Sequence, residues 1–528
     1  MVVPNSTIIL LKTPMELNDA NTLSFSSETA KYSYFNSLPK LVLDNATYQR
    51  KEGTLRYPTT PSGVTFEDLQ EYNYCMYQNT SYDTKWFYAY VEDISYINDG
   101  LCDVKLRTDT FMTWQNDITY KVSFIERQHV SDDTIGIHTI PENVELGEYI
   151  VDNKINGRNF AQVMNVIVGS TVDLDGTSFP AINGSEVGGI YSGVKYYEFT
   201  NVNSLNNVLK DLAEDGKSEA ITSMFMGCSV FYDSDNASSS RVMNIIKDSG
   251  AVKTTPWSYT ILGGDSIVPP NKPTSLDTYV PKNNKLFTFP FCYLMASNNA
   301  GSNAIYKYEL FSSNDCDFRY VGVLTPGMSI RIQPLNYNNQ SINNEEGLNL
   351  AKFPICNWNT DVYTNWLTQN SVNIATSVGG GLLATGVGVA TGNPVAVSGG
   401  LLSIANSVGE VYKHSLVPPQ VEGNINNGDV IFSSGNLQIT MYQMTIKKEM
   451  AKVIDDYFTM YGYKVNSLEV INPHKRTYFD YIKTIGCNII GNVPQTDLEE
   501  IRKLFDNGIT IWHNTSHFLD YSVNNSIL

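Results

Sequence analysis

Charged side chains are scarce in this sequence. Asp, Glu, Lys and Arg supply 17% of its 528 residues, against about 25% in ordinary soluble domains. The basic sign is the scarcer one: 36 Lys and Arg face 54 Asp and Glu, a formal net charge of −18, with no basic run. A sequence-independent nucleic-acid binder needs Lys and Arg to displace counterions from phosphate, so the composition argues against stable DNA or RNA binding. Cysteine offers no framework. Seven residues (75, 102, 228, 292, 316, 356, 487) are scattered, odd in number and without a C-x-x-C pair, which argues for reduced, mostly buried thiols rather than disulfides or a zinc site. The opening "MVVPNSTIILLKTPMEL" has no basic residue ahead of its apolar run. It reads as a strand, not a secretion signal, and implies synthesis in a reducing cytoplasm without export by the general route. There is no G-x-S-x-G and no tandem repeat, and "VGGGLLATG" lacks the Lys-Ser/Thr end of a phosphate loop.

What is present favours strands and turns. Tyr occurs 33 times and Gly 37 times; Tyr, Val, Ile and Thr suit strands, and Asn, Asp and Gly suit turns. The expected fold class is mainly β (α+β). "ISYINDGLCDVKL" (94–106) predicts a hairpin closed at Asp99-Gly100, and "YKVSFIERQHV" (120–130) a further strand. Leu205, Val208, Leu209 and Leu212 recur at helical spacing in 204–215. "KLFTFPFCYLMAS" (285–297) reads as a buried strand interrupted by Pro, and the Pro-rich 268–282 as a connector. "TDLEEIRKLFDNG" (496–508) predicts a helix with a Thr496–Glu499 capping box, ended by Asn507-Gly508 and followed by the strand "ITIWH". Expected domains are 1–150, β-rich; 151–360, mixed; 361–419, an apolar insertion; and 420–528, α+β.

That insertion is the sharpest feature. No Lys, Arg, Asp, Glu or His occurs between Asp361 and Glu410. Gly392-Asn393-Pro394 reads as helix stop, N-cap and first helical residue, so two apolar arms, about 371–391 and 394–412, would meet in a tight hairpin. Each approaches the roughly 20 residues that cross a bilayer core. Val372, Ile374, Val378, Leu382, Leu383, Val387 and Val389 supply the apolar side chains of the first arm, and Val395, Val397, Leu401, Leu402, Ile404 and Val408 those of the second. Thr376, Gly380, Ala384, Gly388 and Gly392 form a small-residue row suited to close helix packing. Seven aliphatics at about 0.3–0.6 kcal/mol each favour insertion by roughly 2–4 kcal/mol, before Gly, Asn, Ser and Thr erode it. One copy would insert marginally; several presented together could insert well. Composition alone leaves open a buried helical hairpin in a soluble core, a flexible insert, a conditional membrane-active hairpin, and a constitutive anchor.

"TDTFMTWQNDITYKVSFIERQHVSDDTIGIHTIPENVELGEYIV" (108–151) resembles the tail knob, or distal tail tube, proteins of small short-tailed bacteriophages, the phi29-like podoviruses. "YGYKVN" (461–466), "TYFDYIKTIGCNIIGNVP" (477–494) and "GITIWH" (508–513) resemble the same family. The resemblance implies a non-enzymatic virion protein. Its β-barrel-like domains would assemble as a homohexameric tube at the distal tip of the tail, next to other tail proteins. Six hydrophobic loops, here Val372–Val411, would plug the lumen and then enter the host cytoplasmic membrane as a channel for double-stranded DNA. No cofactor or metal is implied. A receptor-binding or cell-wall-degrading tail protein is the alternative.

Lesser candidates weigh little. Glu126-Arg127 suggests an ion pair before it suggests an acid catalyst. His513 and His517 have metal-like i, i+4 spacing but lie after a strand and lack the Glu of H-E-x-x-H. "DSDNAS" (233–238) begins like a calcium loop but has neither Gly at the sixth place nor Glu at the twelfth.

Overall fold

The computed structural model describes residues 5–46, 53–59, 63–160, 164–175, 178–182, 185–187, 190–200, 202–228, 234–236, 243–246, 270–299, 301–321, 329–343, 345–352, 355–356 and 438–528. The fold is mainly β with a few short helices. The chain divides into two compact units: 1–145, 281–286 and 449–528 form the first, 146–280 and 287–448 the second. The Pro-rich connector hands the chain from the second unit to the first at Val280–Pro281.

The first unit contains a six-stranded sheet in the order Lys40–Asp44, Ser6–Leu11, Tyr74–Asn79, Phe87–Asn98, Leu101–Thr108, Thr54–Pro58. Every neighbouring pair is antiparallel. Ser6–Leu11 confirms the N-terminal strand. Its run of apolar residues, without polar alternation, follows from burial on both faces: Ile8 and Leu10 enter one core, Ile9 and Leu11 another. The Phe87–Asn98 and Leu101–Thr108 hairpin closes at Asp99-Gly100 as expected. The Asn98 side chain accepts from the Gly100 N–H at 2.9 Å, and Thr59 donates to the Asp99 carbonyl at 2.8 Å, so the turn is tied both locally and to the neighbouring strand.

A five-stranded sheet in the same unit runs Asn21–Leu23, Ile509–Trp512, Phe479–Ile485, Val122–Gln128, Tyr463–Val470. Its first pair is parallel. Ile125, Ile482, Ile509 and Ile511 from this sheet pack with Phe87, Val104 and Phe111 beneath the six-stranded sheet. The helix Gln495–Asn507 adds Leu498, Ile501 and Phe505 to that core.

The expected capping box of this helix does not form. The helix starts two residues early, with Pro494 and not Thr496 at the N-cap, and with no side-chain cap. Glu499 is engaged by Gln495 at 3.1 Å and Thr496 by Asp497 at 3.1 Å, so neither side chain reaches back to the other's backbone. The C-terminal stop holds: Gly508 has φ 96°, and its N–H bonds the Leu504 and Phe505 carbonyls. A Cβ there would lie 2.1 Å from the Tyr481 hydroxyl, so both conformation and space require glycine.

The second unit carries the expected helix at Val202–Glu214, with Leu205, Val208, Leu209 and Leu212 buried. Its largest described sheet runs Ser234–Asn236, Asn244–Ile246, Lys195–Phe199, Met164–Ser170, Ile221–Cys228, Ile355–Cys356. A four-stranded sheet runs Tyr149–Asn156, Thr440–Ile446, Cys292–Ser297, Asn303–Tyr306. The strand expected over 285–297 is shorter than its apolar run. Asn284–Phe287 forms a 3-10 turn, Phe291 donates to the Thr288 carbonyl, and the strand begins at Cys292, because Pro290 has no N–H to give a ladder.

Candidate functional site

All the apolar residues expected to meet a membrane, Val372 to Val408, lie outside the described residues, as do the packing and turn positions Gly380, Ala384, Gly388, Gly392, Asn393 and Pro394. Among the described residues, no helix is long and apolar enough to cross a membrane. The described structure does hold both roots of the insertion, and both belong to the second unit.

On the incoming side, Ile355–Cys356 pairs with Phe225 and Met224 at the edge of the six-stranded sheet. On the outgoing side, Thr440–Ile446 enters the interior of the four-stranded sheet, pairing with Tyr149–Asn156 along one edge and Cys292–Ser297 along the other. Ile439, Met441 and Ile446 are fully buried, each worth roughly 1.5–3 kcal/mol. The first residues of the return are clamped individually. Asn299, in the left-handed region at φ 57°, donates to the Gln438 carbonyl and the Thr440 hydroxyl, both at 3.0 Å. Asn tolerates this conformation better than most residues. The Gly157 N–H donates to the Ile439 carbonyl at 2.7 Å. A Cβ on Gly157 would stand 2.3 Å from the Tyr320 hydroxyl and 2.9 Å from the Ile439 carbonyl, so glycine is what lets the two backbones meet. Burial raises the Tyr320 phenol well above its ordinary range, keeping it protonated beside this crossing. Whatever fills 357–437, the chain re-enters the sheet at a fixed place.

The lesser candidates resolve into structural roles. Glu126 pairs with Lys483 at 2.8 Å and not with Arg127. Arg127 instead pairs with the buried Glu142 and donates to the Gly462 carbonyl at 2.6 Å. Glu142 also pairs with Lys285 and accepts from the Lys464 N–H at 2.9 Å. Burial pulls the Lys285 ammonium below its usual range, with Glu142 opposing the shift. His513 meets the Asp480 carboxylate at 2.9 Å and stacks near His474, while His517 packs on Tyr478. Ser234–Asn236 of the calcium-like run form an edge strand, and the rest of that run is outside the described residues. Among the described residues, no group of three or more His, Cys, Asp or Glu is placed to hold a metal. Cysteines 75, 102, 292, 316 and 487 are free and buried, and burial pushes the Cys316 thiol up to about 12.

Sequence reasoning missed a second polar anchor. Asp455, fully buried, accepts from the Lys282 and Asn283 N–H groups at 2.8 and 3.0 Å and from the Asn283 side chain at 2.8 Å. It holds the short 281–286 stretch in the first unit. An acid among apolar residues in "AKVIDDYFTMY" was the one available signal.

Known proteins match this arrangement along nearly its whole length. The family described as "Bacillus phage phi29, Tail knob protein gp9, C-terminal domain" matches residues 263–526, and that described as "Caudoviral major tail protein N-terminus" matches residues 4–119. Tail knob protein gp9 of Bacillus phage PZA is 24% identical, over 98% of this chain and 98% of its own. That of Bacillus phage phi29 is 23% identical, again over 98% of each. The tail knob protein gp12 of bacteriophage C1 shares the fold, with a TM-score of 0.62 and 18% identity over 99% of this chain and 100% of that one. With the first of these families covering half of its residues, the chain belongs to the tail knob proteins of phi29-like phages, structural proteins of the virion tail and not enzymes.

Proposed function

We propose that this tail knob protein forms a homohexameric tube at the distal tip of the tail and conducts the genome through it. Val372–Val411 from each copy plugs the lumen, then leaves it and enters the host cytoplasmic membrane as a channel. The upper tail tube is the expected neighbour in the virion. The observation that carries this reading is the charge-free run 362–409, held between one strand at a sheet edge and one inside a sheet. Its insertion energy is marginal for one copy and grows with the number presented together. Membrane entry therefore favours an oligomer and a conditional release. The net charge of −18 suits a conduit, because an acidic lumen repels the duplex backbone and lets DNA pass without stable binding.

The test is dye release from liposomes by purified protein across pH 4–8, run beside a variant lacking Val372–Val411. Release that requires the segment is expected. No release at any pH, with the deletion variant assembling normally, would make the segment a passive plug or core hairpin. The acidic lumen fails if charge-reversed tubes eject DNA normally.

A further inference from the structure

Within this acidic chain, the first unit holds a cavity lined by three tyrosines, three cations and two carboxylates. Its volume is about 480 Å³, and it lies between the Val122–Gln128, Tyr463–Val470 and Phe479–Ile485 strands and the helix Lys448–Tyr461, a size typical of small-ligand sites. Tyr457, Tyr461 and Tyr481 form the wall. Tyr457 and Tyr461 lie 5.3 Å apart, and Tyr461 meets Tyr481 edge-on at 5.1 Å. The Arg127 guanidinium stacks 4.8 Å over Tyr457, which fixes its plane.

The charges leave a surplus of cation. Glu142 is the buried acid of the site, and its carboxylate is already shared by Arg127, Lys285 and the Lys464 backbone. Glu126 is taken by Lys483 at the rim, where both side chains are about a third exposed. A pair so placed is weak and can open. Lys464, by contrast, lines the cavity, and its side chain makes no ion pair among the described residues. Burial pushes the Tyr481 phenol up to about 12, so it stays a neutral wall of the cavity at every physiological pH.

We propose that this cavity binds a phosphate ester of a sugar, the phosphate held by Lys464 with help from Arg127 and Lys483, and the sugar ring lying on the tyrosines. A compact ammonium is a natural partner for phosphate. Tyrosine pairs a flat apolar face with a hydroxyl, matching a ring that is apolar on one side and hydroxylated around its edge. The cavity accommodates a sugar unit and not a duplex. The same chemistry occurs in free sugar phosphates and in phosphodiester-linked glycopolymers of a cell surface. The assignment stands apart from the membrane channel, which uses residues of the second unit.

Calorimetric titration of the full-length protein tests it, with glucose 1-phosphate, inorganic phosphate, a sugar-bearing glycerol phosphate oligomer and oligothymidylate as probes. Glucose 1-phosphate is expected to bind, and Lys464→Glu to weaken it about tenfold or more, the usual cost of losing a charge-assisted contact. Tyr461→Ala should weaken the sugar phosphate while leaving inorganic phosphate unchanged. Tighter binding of the oligomer would identify the polymer as the source, and equal binding the free ester. If Lys464→Glu fails to fold, Lys464→Gln and the wild-type probe series decide. Absence of binding, equal affinity for inorganic phosphate, tighter binding of oligothymidylate, or indifference to both substitutions would each overturn the assignment.

Discussion

His129 is held neutral from both ring nitrogens. Its Nδ1 accepts from the Tyr481 N–H at 2.8 Å, and its Nε2 donates to the Thr459 carbonyl at 3.0 Å. Burial lowers its pKa to about 4. The unfolded chain takes up a proton near 6.5, whereas the folded chain refuses it until about 4. The stabilisation is therefore fully present above pH 6.5 and is lost as pH falls towards 4, by up to about 3 kcal/mol. Denaturant unfolding should show a lower midpoint at pH 4.5 than at pH 7.5, and a shallower fall in His129→Gln, which keeps one donor and one acceptor. Equal slopes would remove His129 as the cause. Burial, with the neighbouring His513, lowers His474 in the same direction, so the slope should flatten without vanishing. A second expectation concerns Glu142, which sits between the buried Lys285 and the partly buried Arg127. Glu142→Gln should lower stability by about 3–5 kcal/mol, because those cations lose the carboxylate they share; an unchanged unfolding midpoint would show that they reach water. Neither arrangement was legible in the sequence. Arg127 lies 15 residues from Glu142, and Lys285 a further 143 away from it. Only the fold makes them neighbours.

At the scale of elements, legibility followed the range of the forces. The helix at Val202–Glu214 and the hairpin at Asp99-Gly100 are specified by periodicity and by a turn, both local. The helix Gln495–Asn507 was legible in place and in its glycine stop, but not in its start. Its first turn serves a tertiary purpose: the buried Asp497 accepts from the Trp114 indole at 2.9 Å, which no window of adjacent residues can show. Thr496→Ala should therefore change stability by less than about 0.5 kcal/mol, like an ordinary surface substitution. Gly508→Ala should cost more than about 1 kcal/mol, since it meets both an unfavourable backbone conformation and the Tyr481 hydroxyl. Thermal unfolding of the two variants side by side checks the contrast. A costly Thr496→Ala would restore the capping box.

For the whole molecule, composition carried much of the reading. Few charges, many tyrosines and a net −18 pointed to a β-rich acidic protein. One interval without charge marked where it departs from an ordinary globular chain. The two roots of that interval were not legible, because sheet order is a long-range property. Thr440–Ile446 is bonded along both edges, and its clamps at Asn299 and Gly157 lie outside the interval. Replacing 362–409 with a short polar linker should thus leave the unfolding midpoint unchanged in calorimetry. A clear fall would mean that the segment completes the core, the soluble-hairpin alternative.

The parallel pairing of Asn21–Leu23 with Ile509–Trp512 bears on the order of events at the ribosome. The early strand is made almost 490 residues before its partner, and at about 5–20 residues per second that delay is roughly half a minute or longer. The apolar faces of the opening sheet are out of the exit tunnel all that time without their final cover. The second unit lies wholly inside this interval of synthesis and can settle before the first closes. A nascent chain of this design spends most of its birth half-dressed, its opening sheet waiting for the last strands to arrive.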